Sequence, residues 1–575
     1  MNFKISRRLL FVWILFLSAT LIAQSIEYSL GFQSRLGRGD QIGIPYDYSE
    51  SYLDLQASAK NWTLMTQLEW SQPPEYGREL IGIHRFSVER FKGSALFQLG
   101  HLAHIFGSGM SLNLYEDQNI NLDNMPLGLK LSFRTKNDAL ITALVGRKDN
   151  FQYYAPGSNS RVPDGDVSYD IAGIELEKSL FDGAIGFQPR LVWSNFKSDI
   201  QHLSLNTPGQ LIQNQIRQQM MTWDMGVSSG FYGLNWDIKM DASYQMKLAD
   251  VPFLNQEIHF DAHVASIVNT SLDQNFSGKS VYSRFSWYPD WMTASLEYKY
   301  YGLNQTSPND RIDVYRLGLQ PLPFQVGPTV IRQHELALLA SVTHPVDYAD
   351  EMGFYGEIII PMQNFILSMD ATIASWTTNW SNEFYQDSRY FPSLHSTYQP
   401  FWELHSEFDY SGDSFTSKSG IALTESALNG IDVAEITRHF TLVPTYFSWH
   451  FNDTYSIGGL MEYQNSSVFS LPFETDIRSH GHDYESYHFI ASVDIMSKYS
   501  LAYISDFSSD PALYQGDRTE GFQSWNSVEV SSRTLENLSI RMSYGSEKGG
   551  VRCTGGVCRL INPFEGFRMI MEYRL

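Results

Sequence analysis

Past residue 23 the chain has no run of 18 apolar residues, which excludes a membrane-crossing helix there. Positive charge is scarce. Against 63 Asp and Glu stand 41 Lys and Arg, a net charge of −22. That balance gives no support to nucleic-acid binding, which requires a basic surface. It is read as a solvated, acidic surface and says little about a solute. Cysteine is almost absent, with only Cys553 and Cys558 in 575 residues. There is no Gly-x-Ser-x-Gly, no P-loop and no His-Glu-x-x-His, so no enzyme, cofactor or metal site is indicated. A Ser–His pair assembled on a barrel wall is the one hydrolase arrangement that sequence leaves open.

What is present is alternation. Aromatics reach 14% while charged residues are 18%, and mean hydropathy is negative. This suits strands with one face toward lipid and the other toward water. Residues 1–23 read as a signal peptide. Lys4, Arg7 and Arg8 precede the apolar Leu9 to Leu17, and Ala23 ends the leader. So apolar a core suits ordinary secretion better than a twin-arginine route. No cysteine follows the leader, which excludes a lipid anchor there. At the other end, Phe567, Met569, Met571, Tyr573 and Leu575 alternate with Arg568, Ile570, Glu572 and Arg574. Such an amphipathic end resembles the signal read by the outer-membrane insertion machinery, although Phe or Trp is usual where Leu575 stands.

Between the ends, period-two patterns recur. Met292, Ala294, Leu296, Tyr298 and Tyr300 form one apolar phase; Trp402, Leu404, Phe408 and Tyr410 form another; Leu538, Ile540, Met542 and Tyr544 a third. Runs of about nine to eleven residues are the length of transmembrane strands, longer than the five or six usual in a soluble sandwich. Trp287, Tyr288 and Trp291 sit where an interfacial aromatic girdle belongs.

Tight connections are expected near 60–61, 135–138, 289–290, 362–363, 411–414, 452–453, 497–498 and 535–537. Long ones are expected near 35–49, 71–80, 102–126, 148–167, 195–217, 246–277, 377–398, 465–483, 508–521 and 546–564. Short periplasmic turns should alternate with long outer loops. The alternation holds to residue 303 and is restored beyond it if Arg311 to Gln320 is a strand. The expectation is an all-β chain: residues 24–575 as a single large antiparallel transmembrane β-barrel of roughly 26 strands, with 24–26 as the range. It has no separate plug domain, so loops folded inward must narrow the lumen.

The segment Phe106-Gly107-Ser108-Gly109-Met110, running on through Leu114-Tyr115-Glu116-Asp117 to Asp123-Asn124, is the most distinctive. It is read as an inward constriction loop or as an ordered surface loop. In the first case Glu116, Asp117 and Asp123 would face the pore and favour cations. Cys553 and Cys558 lie in the loop before the final strand, where an oxidising compartment favours a disulfide. His480-Gly481-His482-Asp483 could bind a metal but reads as polar loop, and Gly37-Arg38-Gly39-Asp40 is a chance match.

Together with Arg332-Gln333-His334-Glu335, Thr343-His344-Pro345 and Cys553 to Arg559, the Phe106 segment resembles an uncharacterised family of large outer-membrane β-barrel proteins from Bacteroidota and related phyla. The resemblance implies a barrel and a surface location and carries no substrate. The expected partners are outer-membrane lipid and the insertion machinery, with no nucleic acid. The expected function is a porin-like channel or transport barrel for unidentified small solutes. The alternative is a structural or binding barrel, an adhesin or the anchor of a surface complex, with an occluded lumen.

Overall fold

The computed structural model describes residues 26–41, 43–118, 120–153, 161–163, 165–203, 211–231, 235–250, 257–261, 264–268, 275–302, 323–329, 334, 337–340, 344, 346, 350–382, 385–428, 433–472, 480–496, 498–510, 521–554, 557–561 and 563–575. Twenty-four strands form one antiparallel sheet. The first six are β1 (Glu27–Gln41), β2 (Ile44–Ala59), β3 (Trp62–Ser71), β4 (Leu80–Lys92), β5 (Ala95–His101) and β6 (Leu127–Arg134). Next come β7 (Ala139–Tyr153), β8 (Gly165–Leu180), β9 (Ile185–Leu203), β10 (Leu211–Phe231), β11 (Trp236–Asp250) and β12 (Asn275–Trp287). Then follow β13 (Thr293–Gly302), β14 (Glu351–Met362), β15 (Phe365–Ser375), β16 (Phe401–Ser411), β17 (Phe415–Leu428) and β18 (Val433–His450). The last are β19 (Tyr455–Pro472), β20 (His480–Ile495), β21 (Tyr499–Ser508), β22 (Gln523–Leu535), β23 (Leu538–Glu547) and β24 (Phe564–Arg574).

The sheet closes on itself. β1 pairs with β24 from Gly31 opposite Arg574 to Asp40 opposite Glu565. Leu30 and Leu575 exchange backbone hydrogen bonds of 3.1 and 2.8 Å. Closure leaves the barrel with no open sheet edge.

The period of two sorts side chains to two solvents. On β16, Glu403, His405 and Glu407 are buried while Leu404 and Phe408 are about half exposed. On β10, Thr222 and Asp224 are buried while Trp223, Met225 and Val227 face outward. Polar side chains inside and large apolar ones outside invert a water-soluble fold. An even-stranded closed barrel with such an exterior is the outer-membrane architecture. Trp62, Trp287, Trp291, Trp449, Phe451 and Tyr499 are exposed at the tight-turn rim, where an aromatic girdle meets the membrane interface.

All eight tight connections fall where the turn residues place them. Two expectations are corrected. The stretch 35–49 is not a loop: β1 and β2 stay paired as far as Gln41 opposite Ile44. Likewise β9 and β10 stay paired to Leu203 opposite Leu211. Beyond the lipid both faces of a hairpin are wet, so apolar alternation fades while the backbone ladder continues. For the same reason Gly37 to Asp40 lies within β1, and His480 to Asp483 opens β20 instead of lying in a loop. Second, β13 pairs directly with β14, so no further barrel strand stands between them; the count of 24 keeps to the expected range of 24–26. The proposed strand at 311–320 lies outside the described residues, as does the leader at 1–23.

Candidate functional site: the inner wall and two inward segments

Residues 102–126 connect β5 to β6 and pack on the inside of the barrel. The segment makes two small hairpins, His104–Phe106 with Leu112–Leu114 and Glu116–Asp117 with Leu122–Asp123. Leu102, Phe106, Leu112 and Leu114 join Leu144, Tyr169, Ile171, Val192, Phe196 and Met220, all from β7 to β10, in one buried cluster. Asn124, fully buried, ties the segment together. Its Oδ1 accepts from the Tyr115 amide at 2.6 Å, and its Nδ2 donates to the carbonyls of Asn113 and Pro323 at 2.8 and 3.0 Å. The Tyr169 hydroxyl donates to its carbonyl.

Under this segment lies Arg190 of β9, with a fully buried side chain. Its guanidinium donates to Glu175 at 2.7 Å, to Asp241 at 2.8 Å and to Gln188 at 2.5 Å, and lies 3.3 Å from Asp224. Asp224 also accepts from Ser111 Oγ at 2.8 Å. A buried cation with this many carboxylate partners is held firmly, because losing one partner strands the others. Gly107 crosses directly over the guanidinium at φ +55°; a Cβ built there would stand 2.1 Å from Arg190 Cζ.

Glu116 accepts from His84 Nε2 at 3.1 Å and from Arg85. Consecutive residues of β4 reach the same carboxylate because the register slips between Gln67 and Leu68, leaving His84 as an extra residue. Such bulges re-aim side chains. His84 Nδ1 lies 2.5 Å from Glu69, so the imidazole bridges two carboxylates. Burial would raise the Glu116 pKa, but the His84 hydrogen bond and the Arg85 charge outweigh it and hold the carboxyl below its ordinary range. Asp123 takes Lys148 Nζ at 2.5 Å and the Met125 amide at 3.0 Å. Glu116, Asp117 and Asp123 share one cavity of about 80 Å³ with Glu50, Glu69, Arg35 and Arg78. Glu116 and Asp123 are thus each paired with a cation.

A second inward segment, within 323–350, carries more of the site than the sequence suggested. Asn113 donates its amide to the Phe324 carbonyl at 2.7 Å and its side chain to Val326 at 3.1 Å. Phe324 is fully buried and completes the cluster around Phe106. Tyr301 donates to the Pro328 carbonyl at 2.7 Å, and Val346 packs on Met110, Tyr282 and Tyr301. Further along, His334 lies 2.6 Å from Glu403. The helical turn Ala337–Ala340 gives its Ala337 and Leu338 amides to Glu462 at 2.9 and 2.7 Å. Leu338 rests on Ala422 and Leu442. His344 lies 3.0 Å from Glu351, which also holds Lys299. The signal available was Pro321, Pro323 and Pro328, which argue against a strand in this stretch.

Cys553 and Cys558 stand opposite each other in a hairpin, Gly550–Thr554 with Val557–Ile561, in the connection between β23 and β24. Residues directly opposite in an antiparallel pair are about 4.5–5.5 Å apart at Cα. That spacing falls within the range a disulfide spans.

A family model described as "Family of unknown function (DUF6029)" matches residues 45–391. No curated protein matches the sequence. Among solved structures, the chain is similar to the copper transporter OprC: 10% identity, 96% of this chain and 80% of that one, TM-score 0.46. A mutant ferric enterobactin receptor, PfeA, from Pseudomonas aeruginosa matches over the same shares at 8% identity and TM-score 0.46. The FrpB iron transporter from Neisseria meningitidis matches at 9% identity, 97% of this chain and 84% of that one, TM-score 0.44.

Proposed function

We propose that this chain, which belongs to the DUF6029 family of unknown function, is an outer-membrane transport barrel for small polar solutes. The observation that carries this reading is the inner wall. Its buried phase is rich in ionisable and hydroxyl groups, from Glu50 and Glu69 through Asp224 and Asp241 to Glu403, Glu407 and Glu462. A barrel serving only as a scaffold has no use for so many charges facing inward, whereas a passage for polar solutes needs a polar lining. In this reading the segments 102–126 and 323–350 set the width of the passage, and Glu116, Asp117 and Asp123 lie along the narrowed part.

The same reading has residues 1–23 removed on export and the insertion machinery recognising the amphipathic C-terminal strand. Cys553 and Cys558 are bonded on the outer face, and the source belongs to the Bacteroidota or a related phylum. It assigns no enzymatic activity. The alternative, a structural or binding barrel, draws support from one observation: the two inward segments hydrogen-bond to each other as well as to the wall. An occluded lumen would suit an anchor or adhesin.

Conductance separates the two. In planar bilayers the purified chain is expected to conduct ions, and removal of residues 108–122 to raise that conductance. Silence in both forms, with heat-modifiable gel mobility intact, would favour the structural barrel. Conductance unaltered by the deletion would place the constriction elsewhere.

A further inference from the structure

Where the second inward segment meets β15 and β16, four side chains from three pieces of chain converge on the inner wall. We propose that His334, Asp370 and Glu403 bind one divalent transition-metal ion of the zinc class, fastening this segment to the barrel. A ligand atom from each of the three lies within 4.8 Å of the others. Asp370 and Glu403 are 2% and 4% exposed, and the His334 side chain is 5% exposed. One nitrogen and two carboxylate oxygens form a donor set for zinc and its first-row neighbours. Magnesium and calcium prefer oxygen alone. Three protein ligands leave a fourth position for water or a solute group.

Two further observations point the same way. His405, the cross-strand partner of Asp370, sets its Nδ1 2.9 Å from Asp370 Oδ2. Its ring is 1% exposed, and its Nε2 is buried without a hydrogen-bond partner among the described residues. Buried polar atoms are rarely left so unless something further completes the site. Carboxylates that ligate a metal are themselves hydrogen-bonded from behind, and His405 takes that place behind Asp370. Thr424 supports Glu403 in the same way, its hydroxyl 3.4 Å from the second carboxylate oxygen. His334 and Glu403 stand 2.6 Å apart, close enough for both to reach one ion.

The site ties His334 to two strands of the wall, so the ion would act as a removable fastener of the inward segment. Its test needs no transport assay and stands apart from the channel reading. The full-length mature chain in detergent is stripped with a chelator, dialysed and titrated with zinc, then with cobalt as a spectroscopic probe. The expected result is one ion per chain, with the intense visible cobalt bands of four-coordinate nitrogen and oxygen ligation. His334→Ala and Glu403→Gln should abolish stoichiometric binding. His405→Gln, a change at a positioning residue, should weaken it about 10- to 100-fold. His439→Ala, at an exposed site, should leave it unchanged. Heat-modifiable mobility identifies variants that remain folded. Absence of stoichiometric binding, or binding insensitive to both ligand substitutions, overturns the proposal. Should the ligand variants fail to fold, the cobalt spectrum of the unaltered chain decides, and the faint bands of hydrated cobalt count against it.

Discussion

Replacing Gly107 with Val should loosen the first inward segment while leaving the barrel closed. Two terms add. A residue with a Cβ at φ +55° costs about 1–2 kcal/mol, more for a β-branched side chain. The new Cβ also meets the Arg190 guanidinium at 2.1 Å. That guanidinium cannot step aside without breaking its bonds to Glu175 and Asp241, and overpacking of this kind costs about 1–3 kcal/mol. The total of about 2–5 kcal/mol falls on the segment, because the wall strands keep their backbone ladders. At about 1.4 kcal/mol per tenfold, even the low end shifts the docked-to-undocked ratio about thirtyfold. Gly183→Val is the control, at φ +92° in a tight turn with open space around the built Cβ; it carries the backbone cost without the clash. The assay is chymotrypsin cleavage at Phe106 and Tyr115 in the folded, detergent-solubilised barrel. Faster cleavage is expected in the Gly107 variant alone. Equal rates in the two variants would refute the idea that Arg190 supports the segment.

Two other outcomes follow from the same geometry. Because the Glu116 carboxyl is held below its ordinary range, its contribution to docking is fully present above the unfolded-state value, about 4.3. It is lost as pH falls through the lower folded value, so sensitivity of the segment to an acid protease such as pepsin should rise only below about pH 4, and Glu116→Gln should show raised chymotrypsin sensitivity at neutral pH. Cys553 and Cys558, opposite in their hairpin, should resist thiol labelling on intact cells until reductant is added. Labelling without reductant would exclude the bond, and reduction should scarcely alter barrel stability because so short a ring restrains little of the unfolded chain.

The lipid-facing part of the fold was legible because a bilayer imposes a strict period. Leu404 and Phe408 point outward and Glu403, His405 and Glu407 inward, as their alternation reads. Turn residues marked every tight connection named. What escaped lies outside the lipid. Around Leu36 to Tyr48 the strands persist where apolar alternation has no solvent to answer to. The interior escaped for another reason: its contacts are remote in sequence. Arg190 meets Asp241 and Gly107, and His334 meets Glu403; nothing local to His334 announces a carboxylate in the next hairpin but one. Phe106 to Asn124 stood out by composition, yet the wall that receives it could be named only once β7 to β10 were aligned.

The pairing of β1 with β24 has a consequence for how the barrel is made. Every other ladder joins strands that follow one another along the chain, so most of the wall can zip up through short connections whose closure costs little entropy. The seam between Gly31 and Arg574 instead joins opposite ends of the sheet and has no local precursor. Until Phe564–Arg574 arrives, a growing sheet exposes two unpaired edges, each a template for pairing with the wrong chain. Assembly therefore has one step that must wait for the last strand, and a factor that holds the β1 edge until β24 is delivered would guard the whole process at a single place.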